Sequence, residues 1–114
     1  MLENGHVKLY RSVLNWRWYR DGNTMRLFLH LILTANWEDR DFETITVHRG
    51  QRVASRRTLS EELGISEQEV KTAIKHLIST NEITSESTSK YTVFTVNNYD
   101  LYPVSYTHLR AHET

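Results

Sequence analysis

The segment 55–79 restricts the fold most, because its capping signals predict two helices joined by a short turn. Ser55 can cap the first helix, and Gly64 can adopt the left-handed backbone conformation that ends it. Ser66 and Glu69 have the spacing of a capping box, so a second helix is expected to begin there. Two helices joined by a short turn that contains glycine form a helix-turn-helix arrangement.

The second helix of this pair is predicted to have two unlike faces. Apolar residues recur at three- and four-residue spacing and form one stripe: Val70, Ala73, Ile74, Leu77 and Ile78. The opposite face is polar and cationic, as in a helix that reads the major groove of DNA. The residues of this face that we expect to contact DNA are Gln68, Lys71, Thr72, Lys75 and His76.

The residues that follow the second helix predict a β-hairpin. Asn81 can take the left-handed position at the helix end, and residues 82–85 have the composition of a short strand. A turn-rich stretch leads into a second strand at 90–96, with Phe94 and Val96 on one face. The predicted fold class is therefore α+β, a winged helix-turn-helix with an N-terminal helical extension and a β-hairpin wing.

Two further groups of residues would face DNA in such a fold. One is the start of the first helix, whose cations would lie near phosphates, and the other is the wing tip; together they are Arg56, Arg57, Ser87, Thr88 and Lys90. The net charge is zero, with 14 basic and 14 acidic residues, so modest affinity is expected. An alternative in which the helix pair and hairpin only pack a small core remains open.

The N-terminal half is predicted to add helical structure to the domain. Residues 7–18 are aromatic and amphipathic, and Asn23 or Thr24 can cap an apolar helix at Met25–Ala35. The apolar surface of this helix and of the two tryptophans in the first segment exceeds what a small domain needs internally. Part of it is therefore predicted to form a homo-oligomer interface.

Between this half and the helix pair, the sequence predicts a charged loop and then a tight hairpin. The loop is expected at 37–41, and strands at 42–48 and 51–54 flank Arg49–Gly50.

Catalytic and metal-binding functions find little support. The chain has no cysteine, no P-loop, no glycine-rich dinucleotide turn and no nucleophile elbow. His30 is expected to be a core or interface histidine, and Glu61 and Glu62 to be solvated helix surface. We therefore expect a non-enzymatic protein without cofactor or metal. No signal segment and no apolar run of the roughly 20 residues needed to span a bilayer is present, which predicts a cytoplasmic protein without a membrane partner.

Several short stretches carry a resemblance to a known family through their order along the chain. They are VKLYR at 7–11, WRWYRD at 16–21, RLFLHL at 26–31, ANW at 35–37, VHRGQ at 47–51, the helix-turn-helix, KYTV at 90–93 and VNNY at 96–99. Over about residues 5–102 the chain resembles the winged-helix domain of phage and prophage replication-initiation proteins, the replisome-organiser and DnaD-type group. The resemblance implies binding to double-stranded origin DNA, self-association, and recruitment of helicase-loading proteins through a further region that commonly follows this domain.

Two other functions remain open on the sequence alone. The same fold serves transcriptional regulators, and a winged helix can also act only in protein association. Glu67 and Glu69, at the start of the second helix, favour the association function slightly, whereas Lys71, Lys75 and the arginine pair at 56–57 favour DNA.

Residues 103–114 are expected to be foreign to the domain. The sequence PVSYTHLRAHET corresponds, in one reading frame, to the translation of a widely used transposase sequencing adapter. No selection would then have fitted this tail to the rest of the chain. We expect it to lack a docking site and to be dispensable for stability, as unanchored termini usually are.

Overall fold

Three α-helices and three small antiparallel sheets form the part of the chain that the computed structural model describes, residues 6–104. The helices are α1 (Gly22–Thr34), α2 (Arg56–Leu63) and α3 (Glu67–Ser79). The strands are β1 (His6–Val7), β2 (Arg40–Phe42), β3 (Ile45–Val47), β4 (Gln51–Ala54), β5 (Ile83–Ser87), β6 (Thr92–Val96) and β7 (Pro103–Val104). Residues 105–114, most of the tail that is expected to be foreign to the domain, lie outside the described residues. The first two residues of this tail form β7, which pairs with β1.

The caps predicted for the two helices of the helix pair are confirmed. The Ser55 side chain accepts a hydrogen bond from the Thr58 N–H, and Gly64 ends α2 in the left-handed conformation with φ of 72°. Ser66 and Glu69 exchange side-chain and backbone hydrogen bonds in a capping box at the start of α3. The turn between α2 and α3 therefore lies at the residues that these local signals predicted.

Helix α1 begins three residues before the predicted start. Its N-cap is Asp21, whose carboxylate accepts a hydrogen bond from the Thr24 N–H at 3.1 Å. The expectation that Asn23 or Thr24 caps this helix was therefore wrong. A carboxylate at the cap also interacts favourably with the positive end of the helix dipole, which explains why Asp21 takes the position.

The segment 7–18, expected to be helical, contains only a short 3₁₀ helix at Arg11–Asn15. The reason lies in its two tryptophans, both of which pack inward although they are two residues apart. The indole N–H of Trp16 donates to Glu82, and that of Trp18 donates to Thr80. One α-helical face cannot present residues at that spacing. Both indole N–H groups are thus bonded within the domain, and the homo-oligomer interface stays a prediction.

Strand β6 is the centre of the three-stranded sheet, whose order is β4-β6-β5. The predicted hairpin of β5 and β6 is present, with Ile83 opposite Val96. Phe94 and Val96 are buried together, as expected from the alternation of the strand. Strand β4 lies on the other side of β6, so the sheet joins residues that precede the helix pair to residues that follow it.

The hairpin predicted around Arg49–Gly50 does not form. Strand β3 pairs with β2 across a two-residue turn, and β4 pairs with β6. The Gly50 N–H donates to the Asn36 carbonyl, and its own carbonyl accepts from the Val96 N–H. These hydrogen bonds tie Gly50 to the loop after α1 and to β6. The turn at Gly50 joins β3 and β4, which belong to separate sheets.

The core lies between α1, the helix pair and the inner face of the sheet. Leu27 and Leu31 of α1, Leu59 of α2 and Leu77 of α3 are fully buried. Ile78, which the sequence placed in the apolar stripe of α3, is instead 41% exposed. It lies at the edge of the stripe, where the 100° step per residue turns it toward solvent.

A network of charged side chains ties α2 to α1 and to the sheet. Glu62 accepts hydrogen bonds from His30 on α1 at 2.7 Å and from Arg52 on β4 at 2.9 Å. Glu62 is exposed on the helix surface, as expected, but its carboxylate also bonds to two other elements, which the sequence did not predict. The hydrogen bond from Arg52, and next that from His30, lower the pKa of Glu62 from 4.5 to about 2.

Replacing Glu62 by glutamine is expected to destabilise the fold at pH 7 by about 1–2 kcal/mol, an amount reduced for its partly exposed carboxylate. A lowered pKa means that the stabilisation is complete above pH 4.5 and is lost as the pH falls toward 2. Urea unfolding at several pH values should therefore show the wild type and the variant converging in acid. Glu61→Gln is the matched control, because Glu61 is exposed and its one ion pair, with Arg57 at 3.5 Å, lies within α2 and is also exposed. An equal loss in both variants would contradict the network.

Candidate nucleic-acid interface

The outer face of α3 carries the side chains that the sequence proposed for base and phosphate contacts. Gln68, Lys71, Thr72 and Lys75 are all exposed, and they lie opposite the buried Val70, Ala73 and Leu77. The helix has 13 residues, enough for nearly four turns, so this face forms a continuous ridge. Among the described residues, neither lysine takes part in an ion pair, so both side chains can reach a polyanion in solvent.

One flank of α3 borders an open cleft of about 460 Å³ between the helix pair and the β5–β6 hairpin. The cleft brings together five of the proposed site residues from two parts of the chain, namely Arg56, Arg57, Ser87, Thr88 and Lys90. Glu67 and Ile74 of α3 also line it. The predicted first-helix cations and the predicted hairpin tip therefore lie on the same side of α3.

The hairpin tip is held by the hydroxyl group of Thr88. This oxygen accepts hydrogen bonds from the backbone N–H groups of Lys90 and Tyr91, both at 3.2 Å. The Thr88 N–H in turn donates to the Tyr91 carbonyl at 2.8 Å. Because the backbone of the tip is fixed in this way, the exposed Lys90 side chain extends from an ordered turn.

His76 is placed apart from the other proposed site residues. Its ring stacks on the Trp18 indole, with centroids 4.3 Å apart and an angle of 10°. Its Nδ1 lies 2.8 Å from the Thr24 hydroxyl and 3.1 Å from an Asp21 carboxylate oxygen. His76 thus joins α3 to the N-terminal half, and it is not part of the exposed ridge.

The second flank of α3 borders a smaller cleft at the start of α1. Gln68, Glu69 and Thr72 line it together with Asp21 and Asn23. Backbone and hydroxyl hydrogen bonds with Ser66, and then the hydrogen bond from Asn23, lower the pKa of Glu69. Glu69 is therefore ionised at neutral pH and is engaged by the cap and by α1.

Sequence reasoning missed the contact between the N-terminal turn and the end of α3. The turn at 16–21 reaches α3 through Trp18, which donates to Thr80 at 2.8 Å and stacks on His76. The closely spaced tryptophans were the available signal, because two large aromatic side chains two residues apart suggest packing in a turn rather than on one helix face.

Among the described residues, no group of three or more potential metal ligands comes together. The same part of the chain contains no helix with the length and apolar character needed to cross a bilayer. The chain matches no protein-family model, no curated protein and no solved structure.

Proposed function

We propose that this chain is the DNA-binding winged-helix module of a phage or prophage replication-initiation protein. The observation that carries the proposal is the exposed cationic ridge of α3, next to a cleft in which Arg56, Arg57 and Lys90 meet. Helix α2, the turn at Gly64 and helix α3 supply the helix pair, and β5 with β6 supplies the wing. The replication role rests on the family resemblance of the sequence.

In this proposal α3 lies in the major groove, and its flanking cations bind phosphates. A helix with its side chains is about 10–12 Å wide, close to the major groove width of about 12 Å. Lys71 and Lys75 would then lie next to base edges or the nearest phosphates. Lys90 would contact the DNA backbone beside the wing. Such contacts would position the protein on DNA, and Gln68 and Thr72 would read bases.

Self-association and recruitment of helicase-loading proteins complete the proposed role, and both rest on the resemblance. Support for a homo-oligomer comes from four large apolar side chains outside the core, Leu9, Tyr10, Leu14 and Leu33, whose exposed fractions range from 47% to 64%. Burial of such residues is typical of subunit interfaces.

A function in protein association alone is the second candidate, and one observation favours it. Glu67 lies in the same cleft as Arg56 and Arg57, where its carboxylate offsets part of the positive charge. A cleft of mixed charge suits a protein partner better than a phosphate backbone.

Replacing both Lys71 and Lys75 by alanine is expected to weaken binding to duplex DNA and to lower the salt dependence of binding. Each lost phosphate contact removes about one unit from the slope of log affinity against log salt, so a decrease of about one to two is expected. Fluorescence anisotropy with a labelled duplex across a salt series measures both quantities. Thermal stability should barely change, because both side chains are exposed.

The double variant Lys8→Ala/Arg11→Ala is the matched control, since it removes the same amount of charge. Lys8 lines a pocket that contains no residue of α3, and the exposed Arg11 lies between Tyr10 and Ser12, which line the same pocket. The control should bind like the wild type. A wild type that binds no duplex would overturn the proposal in favour of the association function, and an unchanged slope in the α3 variant would remove α3 from the interface.

A further inference from the structure

The first part of the chain carries a strong local excess of positive charge. Between residues 6 and 30 there are five cations and one acid, although the whole chain is neutral. The cations are Lys8, Arg11, Arg17, Arg20 and Arg26, and all five are exposed. Neither Arg17 nor Arg20 takes part in an ion pair among the described residues.

Two of these cations belong to a turn that is fixed against α3. The Arg17 guanidinium lies over the Trp18 ring, 5.1 Å from its centroid, and Arg20 follows in the same turn. Trp18 is held in place by its hydrogen bond to Thr80 and by its stack on His76. The position of the turn relative to α3 is therefore set by buried contacts.

This turn lies on the flank of α3 that is opposite to the wing. At 100° per residue, Glu67 and Ile74 project to one side of the exposed ridge, and Thr72 and His76 project to the other. The first side borders the cleft with Arg56 and Lys90, and the second faces Trp18 and the start of α1. Helix α3 thus has cations beside both of its flanks.

The acids on the second flank are already engaged. Asp21 caps α1 and lies 3.1 Å from His76, and Glu69 is bonded to Ser66 and Asn23. These bonds hold both carboxylates against α1 and α3, whereas Arg17 and Arg20 are exposed and take part in no ion pair among the described residues.

We propose that the turn at 16–20, through Arg17 and Arg20, binds the DNA backbone on the side of α3 that faces away from the wing. This inference rests on the proposed function. A helix that fills the major groove has a sugar–phosphate backbone on each side, because the width of the helix and the width of the groove are nearly equal. The cations on the wing side bind one backbone, and the N-terminal turn binds the other. The contact is to the backbone and is independent of base sequence.

The test compares Arg17→Gln/Arg20→Gln with Lys8→Gln/Arg11→Gln in anisotropy titrations of a labelled duplex across a salt series. The turn variant should lose about two units of salt slope and about tenfold in affinity near 0.1 M salt, equally on unrelated duplexes. Arg17→Lys/Arg20→Lys, which keeps the charge, should restore most of the slope. The control pair should match the wild type, since Lys8 and the neighbours of Arg11 line a pocket that contains no residue of α3.

Arg20→Gln alone keeps the test decisive if the loss of Arg17 disturbs Trp18, and it should lower the slope by about one unit. A wild type that binds duplex while the turn variants bind equally well would overturn this inference and leave the proposed function standing. The inference would also be overturned if the control pair weakened binding as much as the turn variants. A wild type that binds no duplex would overturn both the inference and the proposed function.

Discussion

Replacing Gly50 by alanine is expected to destabilise the domain by about 2–5 kcal/mol, from backbone strain and steric overlap together. Gly50 has a φ of 85°, which L-residues with a Cβ rarely adopt. A Cβ at this position would also lie 2.9 Å from the Cβ of Tyr99. Tyr99 is buried, and its Cβ is fixed to the backbone, so the overlap cannot be relieved by turning a flexible side chain.

Alanine variants of the other two glycines among the described residues separate the cost of backbone strain from the cost of steric overlap. Gly64 has a φ of 72° but no heavy atom within 4 Å of an added Cβ, so Gly64→Ala should cost only about 1–2 kcal/mol of strain. Gly22 lies in the first turn of α1 with open space around it and no positive φ, so Gly22→Ala should stabilise slightly, by about 0.5 kcal/mol. Urea unfolding of the three variants gives this order. Equal losses at Gly50 and Gly64 would show that the overlap with Tyr99 contributes nothing.

Truncating Leu77 to alanine is expected to cost about 2–5 kcal/mol, since a buried leucine loses its transfer free energy and leaves a cavity. Leu77 is fully buried on the inner face of α3. Ile78 follows it directly and is 41% exposed, so Ile78→Ala should cost less than about 1 kcal/mol. Thermal or chemical unfolding compares the two variants.

This pair of variants also tests the rotation of α3 about its axis. If Ile78→Ala proved as costly as Leu77→Ala, the outward face of the helix would be set differently, and Lys71 and Lys75 would no longer lie on a fully exposed ridge.

The sequence was most informative where the interaction is local. The capping box of Ser66 and Glu69 and the left-handed Gly64 involve residues at most three positions apart, and spacing alone identified them. The periodicity of α3 likewise located most of its buried and exposed faces. The exposed positions of Gln68, Lys71, Thr72 and Lys75 followed from that periodicity.

Residues with distant partners were harder to predict. His76 has the helical position of a surface residue, and only the three-dimensional approach of Trp18 and Thr24, more than 50 positions away, turns it into a packing residue. Glu62 likewise looked solvated because Arg52 and His30 belong to other elements. Nothing in local spacing specifies which acid will meet which cation across a fold.

The pairing of β4 with β6 has a consequence for how the chain folds. Gln51 and Thr95 are hydrogen-bonded across 44 positions of sequence, and the helix pair and β5 lie between them. Closing so long a loop costs conformational entropy before any contact repays it, which slows folding relative to a helical bundle. During synthesis, α1, α2 and α3 leave the ribosome before Phe94 and Val96 can complete the core. Helix α3 therefore gains its full set of core contacts only when β6 arrives, so a chain interrupted before β6 would present an incomplete core and an unpaired strand edge to the cell.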